Sequence, residues 1–395
     1  MLRIPGVRLA AGAAGIRYQG RDDLVLLALP DGAQTAAVFT TNAFCAAPVQ
    51  LARRHLAQTQ PRWLLINAGN ANAGTGDRGL ADAETCCTAL AAAADCAPEQ
   101  VLPFSTGVIG EYLPVGAIAA ALPQLVAGLR EDGWTDAAGA IMTTDTHPKT
   151  ASASCDLGGR EAKVVGIAKG AGMIRPDMAT MLAFLCTDAP VPRDLLQALL
   201  REAVADTFNA ITIDGDTSTN DACVLSAAGT LGGPPVTAGS PELQALALAV
   251  HQVCAALATS IVRDGEGATK LVTIEVVEAQ SAAEARAVAD TIAHSPLVKT
   301  ALFAADPNWG RILAAVGRAG VARLDIERVR IWLDDCLIVS GGGRDPTYTE
   351  VAGRAVMARD AFRIRVGLGR GEITTRVLTC DLSYDYVRIN AEYRT

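Results

Sequence analysis

Apolar residues in this chain fall into short runs that alternate between two periods. Residues 24–29 (LVLLAL), 36–40 and 63–67 (WLLIN) are compact apolar runs closed by turn residues, the pattern of buried strands. Residues 80–94 and 114–129 instead space their apolar positions three and four apart, which predicts helices. The second opens at Pro114, where a missing N–H costs nothing. Further on, 181–186 (MLAFLC) reads as a buried strand, and 192–208 and 241–262 as long amphipathic helices. The segments 271–277, 329–333, 362–366 and 376–389 carry the β-branched, alternating pattern of strands. Helix and strand signals are interleaved throughout, so the fold class is mixed α and β, and no internal repeat or disordered linker interrupts it.

Composition sharpens this picture. A chain of 395 residues exceeds what one simple core usually serves, which predicts two interlocked layers or subdomains. Half of the residues are apolar but only 4% are aromatic, so the core is expected to be Ala, Val, Leu and Ile at close packing, as where helices lie on a sheet. The formal charge of −8, with a pI near 5.1 and no run of Lys or Arg, excludes the footprint of a nucleic-acid binder and leaves small polar ligands as expected partners. The first residues lack a continuous apolar core of a signal peptide. No later window offers about 18 apolar residues free of charge, His or Gln, so neither a membrane span nor export is predicted and a cytoplasmic location is expected. Ten scattered cysteines include no CxxC pair, which predicts buried reduced thiols and no metal site.

The familiar catalytic signatures GxSxG, HExxH and GxxxxGK[ST] are missing, and four histidines leave little room for histidine-based catalysis. A literal GxGxxG occurs at 74–79 (GTGDRG). It begins seven positions after Asn67, whereas a dinucleotide turn follows its strand closely so that the pyrophosphate meets the helix N-terminus. The acidic stretch 214–221 (DGDTSTND) begins like a calcium loop, but Thr219 stands at the sharp-turn glycine position and Leu225 at the bidentate glutamate position, so it reads as a hydrogen-bonded turn.

What remains is 166–180 (GIAKGAGMIRPDMAT), a glycine loop, a small residue, a threonine and then a buried strand. Glycines admit strained backbone angles, and the small side chain of Ala179 leaves its carbonyl open to attack by the Thr180 hydroxyl. Hydrolysis of the resulting ester would leave Thr180 with a hydroxyl and a free α-amine whose reference pKa is roughly 8. One residue then supplies nucleophile and general base without histidine. Taken alone, a threonine in front of a strand is ordinarily structural.

Its company changes that reading. In order along the chain stand TTNAFCAAPV (40–49), NAGNANAGTG (67–76), STGVIG (105–110), IMTTDT (141–146), KGAGMIRPDMATML (169–182), DGDTSTND (214–221), DGEGATK (264–270), ADPNWGRI (305–312) and NAEYRT (390–395). By these motifs the chain resembles, from end to end, the ornithine acetyltransferase (glutamate N-acetyltransferase) family of arginine biosynthesis. The resemblance implies a layered αββα-type fold and autocleavage between Ala179 and Thr180 into an N-terminal chain (1–179) and a C-terminal chain (180–395). Two such pairs would form a heterotetramer. It also implies Thr180 as nucleophile, Thr106 and Gly107 as the oxyanion hole, and Thr143, Lys169, Thr180, Glu266, Asn390 and Thr395 as substrate-binding residues. At the first of these positions Thr144 and Thr146 stay open as neighbours of Thr143.

The implied reaction is ping-pong transfer of acetyl from N2-acetyl-L-ornithine to L-glutamate through acetyl-Thr180. No metal or dissociable cofactor is needed, and acetyl-CoA is a second donor in bifunctional members. No residue decides between one donor and two. Two alternatives stand beside this reading: a self-processed amidase or aminopeptidase that gives the acyl group to water, and an uncleaved nucleotide-binding protein that uses GTGDRG for phosphates.

Overall fold

The computed structural model describes residues 2–175 and 181–392. They divide into two compact units, one built from Met1–Asn209 and Asp216–Ile261, the other from Ala210–Gly215 and Val262–Tyr393.

In the first unit the strands are β1 (Arg8–Gly12), β2 (Leu24–Ala28), β3 (Gln34–Phe39), β4 (Trp63–Asn70), β5 (Val101–Val108), β6 (Lys149–Asp156), β7 (Glu161–Lys169), β8 (Leu182–Thr187) and β9 (Ala222–Ala227). The helices are α1 (Ala47–Gln58), α2 (Gly76–Ala94), α3 (Val115–Ala127), α4 (Trp134–Ala140), α5 (Arg193–Asp206) and α6 (Pro241–Arg263). One sheet has the order β1-β2-β4-β5, the other β3-β9-β8-β7-β6. Among the described residues of this unit only β4/β5 and β8/β9 are parallel; the other pairs are antiparallel.

Alternation along the strands decides which faces meet. Val25, Leu27, Ile66 and Phe104 of the first sheet enclose one core with Val165, Ile167, Phe184 and Val224 of the second, and the Phe104 and Phe184 rings meet edge to face at 5.0 Å. The alternate residues Leu24, Leu26 and Leu65 pack outward on Cys86 and Leu90 of α2 and on Leu122 of α3. On the far side of the second sheet, Gly166 lies beneath Val253 and Leu257 of α6, whose side-chain atoms come within 3.1 Å of where a Cβ would stand. α5 packs on β3 and β9. The unit is therefore layered α-β-β-α, as the resemblance implies. Helix α6 is long and apolar enough by composition to cross a membrane, yet half of its apolar window is buried in the fold.

The second unit contains β10 (Leu271–Ala279), α7 (Ala282–Ala293), α8 (Pro296–Phe303), α9 (Trp309–Gly317), β11 (Arg330–Leu333), β12 (Cys336–Ser340), β13 (Gly343–Arg344), α10 (Glu350–Met357), β14 (Ala361–Gly367), β15 (Ile373–Cys380) and α11 (Tyr384–Glu392). Its sheet runs β13-β12-β11-β14-β10-β15, and Val272, Ile274 and Val276 of β10 face Val288 and Ile292 of α7 and Ile312 of α9.

Two expectations change here. The strand predicted over 376–389 ends at Cys380, and the rest is α11. Asp381, Leu382 and Ser383 break the ladder, and the Ser383 hydroxyl accepts the Tyr386 N–H at 3.4 Å and starts a helix. The β-branched Val387 and Ile389 mimic a strand pattern, but Val387 is exposed. Likewise β4 runs to Asn70, three residues beyond the predicted end, which brings GTGDRG closer to its strand. Its last glycine nonetheless accommodates the protein's own side chains: a Cβ on Gly79 would stand 1.9 Å from Thr75 Oγ1 and 2.6 Å from Asn72 Oδ1. Asn72 donates to the Gly79 carbonyl at 2.8 Å, and Thr75 donates to Asn72 at 2.8 Å.

Candidate active site

The parallel strands β4 and β5 lose register at their C-terminal ends, between Gly69 and Asn70. There Gly107 adopts φ +134°, and a Cβ on it would lie 2.3 Å from the Gly69 carbonyl carbon. Only glycine permits this approach. An asparagine network holds the distortion. Asn67 donates to the Asn70 carbonyl at 2.8 Å and accepts from Ser105 Oγ at 2.5 Å, while Asn70 Oδ1 takes the Asn72 N–H at 2.7 Å.

The acidic turn closes over the same strand ends. Asn220 donates to the carbonyls of Ala71 (2.6 Å) and Ser105 (3.0 Å), and Thr40 donates to the Ser218 carbonyl at 2.8 Å. Four of the motifs are thus joined into one scaffold by hydrogen bonds between loops. It supports the predicted hydrogen-bonded turn, with its side chains engaged on carbonyls.

Lys169 ends β7 opposite Leu182 of β8. Its Nζ donates to Thr106 Oγ1 at 3.1 Å across 63 residues of sequence. Both side chains are buried, and both line a small cleft together with Gly170, Met181, Ser218, Asn220 and Asp221. Thr106, Gly107 and Lys169 are therefore brought together beside Met181, the residue that follows Thr180. Ala179, Thr180 and Thr395 lie outside the described residues.

A further residue organises this site and escaped the sequence reading. Asp145 Oδ1 accepts from Lys149 Nζ at 2.6 Å and from the Gly170 N–H at 2.7 Å, while its Oδ2 accepts the Thr143 N–H at 3.0 Å. The Asp145 and Lys149 side chains are fully buried. Burial pushes the Asp145 carboxyl up, but the charges of Lys169 and Lys149 and the hydrogen bonds from Lys149 and Gly170 outweigh it and bring it down to about 2. Thr143 is thus tied to the Lys169–Gly170 strand end through one carboxylate, whereas Thr146 is exposed and its hydroxyl lies 3.1 Å from His147 Nδ1. The available signal was position: Asp145 is the one carboxylate in IMTTDT.

In the second unit, Asn390 on α11 donates to Glu266 Oε2 at 2.7 Å. The loop carrying Glu266 is fixed by Asp381, which accepts the N–H groups of Thr269 (2.8 Å) and Lys270 (2.9 Å). Gly267, at φ +67°, lets the start of α11 approach, since a Cβ would stand 2.5 Å from the Tyr386 nitrogen. Glu266 and Asn390 are accordingly a preformed pair with a buried carboxylate.

Residues 8–395 match the profile of the ArgJ family. The chain belongs to this family. Among curated relatives, the arginine biosynthesis bifunctional protein ArgJ of Methylococcus capsulatus is 61% identical over 392 residues, covering 99% of this chain and 96% of the relative. The ArgJ protein of Psychrobacter arcticus is 52% identical over 393 residues, covering 99% and 97%. A crystal structure of ArgJ from Bacillus halodurans is 40% identical, with a TM-score of 0.51, and its match covers 53% of this chain and 98% of that one. Family membership accounts for the order of the motifs, and the hydrogen bonds above account for several of them physically: they build one loop scaffold around Thr106 and Lys169, and a second around Glu266.

Proposed function

We propose that this protein is a self-cleaving acetyltransferase of arginine biosynthesis that moves acetyl from N2-acetyl-L-ornithine to L-glutamate. The observation that carries the reading is the bond from Lys169 to Thr106 in a cleft also lined by Met181, because it gathers an oxyanion donor and a fixed cation beside the residue that follows Thr180 in sequence. Relatives covering 99% of the chain that are called arginine biosynthesis bifunctional proteins support it.

In this proposal Thr180 Oγ first attacks the Ala179 carbonyl carbon, the peptide C–N bond breaks, and water hydrolyses the ester to leave an Ala179 carboxylate and a Thr180 amine. In the transfer reaction that amine takes the hydroxyl proton as Oγ attacks the acetyl carbonyl carbon. Thr106 O–H and Gly107 N–H receive the negative oxygen; one such donor is worth about 10²–10³ in rate. As the tetrahedral intermediate collapses, the proton passes to the departing α-nitrogen of ornithine. The α-amine of glutamate then attacks the acetyl ester, and Thr180 regains its proton.

Thr143, Lys169, Thr180, Glu266, Asn390 and Thr395 bind the amino-acid portions. The Glu266 carboxylate suits an ammonium group, and Asn390 holds it in orientation. No metal or dissociable cofactor takes part. The name "bifunctional" on the relatives favours acetyl-CoA as a second donor. The protein is proposed to work in the cytoplasm as two N-terminal and two C-terminal chains.

The test is denaturing electrophoresis with N-terminal sequencing, run beside acetyl transfer from acetylornithine to labelled glutamate. The expected result is two fragments, the C-terminal one beginning at Thr180, transfer in the wild type, and neither cleavage nor transfer in Thr180→Ala. An active Thr180→Ala protein, or a wild type that releases acetate to water without acetylating glutamate, would sink the reading. Glutamate acetylation from acetyl-CoA alone decides the second donor.

A further inference from the structure

The contact between Lys169 and Thr106 fixes the direction of a hydrogen. An ammonium group only donates, so at 3.1 Å the Thr106 oxygen is the acceptor. The hydroxyl's own hydrogen is then turned away from the lysine and left for a second acceptor. A hydroxyl that accepts from a cation is also a stronger donor, because the first bond polarises the second.

Asp145 fixes the backbone beside that cation. Its carboxylate receives the Gly170 N–H at 2.7 Å, which ties down the backbone immediately after Lys169, and the Thr143 N–H at 3.0 Å, which anchors the neighbouring loop to the same point. It acts electrostatically on both Lys169 and Lys149. Lys149, paired with it at 2.6 Å in full burial, accounts for part of its presence but not for the two backbone bonds.

We propose that Asp145, Lys169 and Thr106 form a relay in which Asp145 is a positioning residue: it sets cationic Lys169 against Thr106, and Thr106 presents its hydroxyl hydrogen to the oxygen that becomes negative during acyl transfer. The relay rests on the acetyltransferase reading and deepens it. It gives Lys169 a role in oxyanion stabilisation besides contact with substrate, and it gives Asp145 a task beyond neutralising Lys149.

The experiment is a double-mutant comparison, with kinetics normalised to the amount of cleaved chain. Asp145→Asn alone also removes the carboxylate that faces the fully buried Lys149 ammonium, so the informative variant is Asp145→Asn/Lys149→Met, which replaces the ion pair by neutral groups and is compared with Lys149→Met. With Thr106 intact, loss of the Asp145 charge is expected to lower kcat about tenfold and to leave KM for both amino acids within about twofold. In a Thr106→Val background the same comparison is expected to change kcat by less than about twofold, since the group on which the relay acts is gone.

Equal defects in both backgrounds, an effect confined to KM, or an Asp145→Asn/Lys149→Met protein as fast as Lys149→Met would each overturn the relay. Those outcomes leave wild-type acetyl transfer intact. Failure of the underlying reading is seen separately, as a wild type that never acetylates glutamate.

Discussion

At the scale of single residues, Gly107 shows how much of a site can depend on a missing side chain. Its Cβ position lies 2.3 Å from the Gly69 carbonyl carbon and 2.5 Å from the Asn70 nitrogen, both backbone atoms that cannot rotate aside. Gly107→Ala is therefore expected to push β5 off β4 and displace the adjacent Thr106 hydroxyl, lowering kcat for acetyl transfer by about 100-fold, the usual effect of losing an oxyanion donor. Gly110 is the control in the same STGVIG segment. It has φ +83° but no atom within 4 Å of its Cβ position, and asparagine tolerates that region, so Gly110→Asn should keep kcat within about threefold. Steady-state kinetics on both variants separate crowding at Gly107 from general sensitivity of the loop. The glycine was legible in the sequence as part of a motif. Its reason was not, because the atoms it would strike belong to another strand.

At the scale of elements, α11 is the clearest lesson. Val387 and Ile389 suit a strand locally, but Ser383 decides otherwise by accepting the Tyr386 N–H at 3.4 Å and donating to the Gly267 carbonyl at 2.6 Å. This one hydroxyl joins the helix start to the loop that carries Glu266, and the helix carries Asn390. Ser383→Ala is expected to reduce unfolding free energy by about 2 kcal/mol, the sum expected of a lost cap and one lost hydrogen bond. Denaturant titration measures that, and KM for glutamate should rise more than kcat falls, since Glu266 and Asn390 are proposed to bind and not to react. An unchanged KM in a destabilised protein would detach this pair from substrate binding. By contrast, β2, β4 and β8 were readable within a few residues, because a short fully buried run announces itself by composition alone.

At the scale of the whole molecule, the proposed scissile bond falls between strands of one sheet. β3, β6 and β7 precede it and β8 and β9 follow it, in the order β3-β9-β8-β7-β6. Six residue pairs join β7 to β8, and another six join β3 to β9. The two compact units therefore do not coincide with the two proposed fragments, and cleavage would leave the sheet and its core intact. Size-exclusion chromatography of cleaved protein is expected to show both fragments in one peak in buffer and to resolve them only in denaturant. Separation in buffer would contradict this account of why processing is tolerated.

The sequence by itself determined the mixed α and β class and the small-residue core, and it singled out the Ala179–Thr180 bond as the proposed cleavage point, since period, composition and a glycine loop are properties of neighbours along the chain. Its motifs, through resemblance, also named Thr106, Gly107, Lys169, Glu266 and Asn390. Only the tertiary structure decided what connects them. Lys169 reaches Thr106 across 63 residues, and Asn220 reaches Ser105 across 115. Asp145 stands out because three donors from separate positions converge on one buried carboxylate, an arrangement that exists only once loops from different strands are folded to the same sheet end.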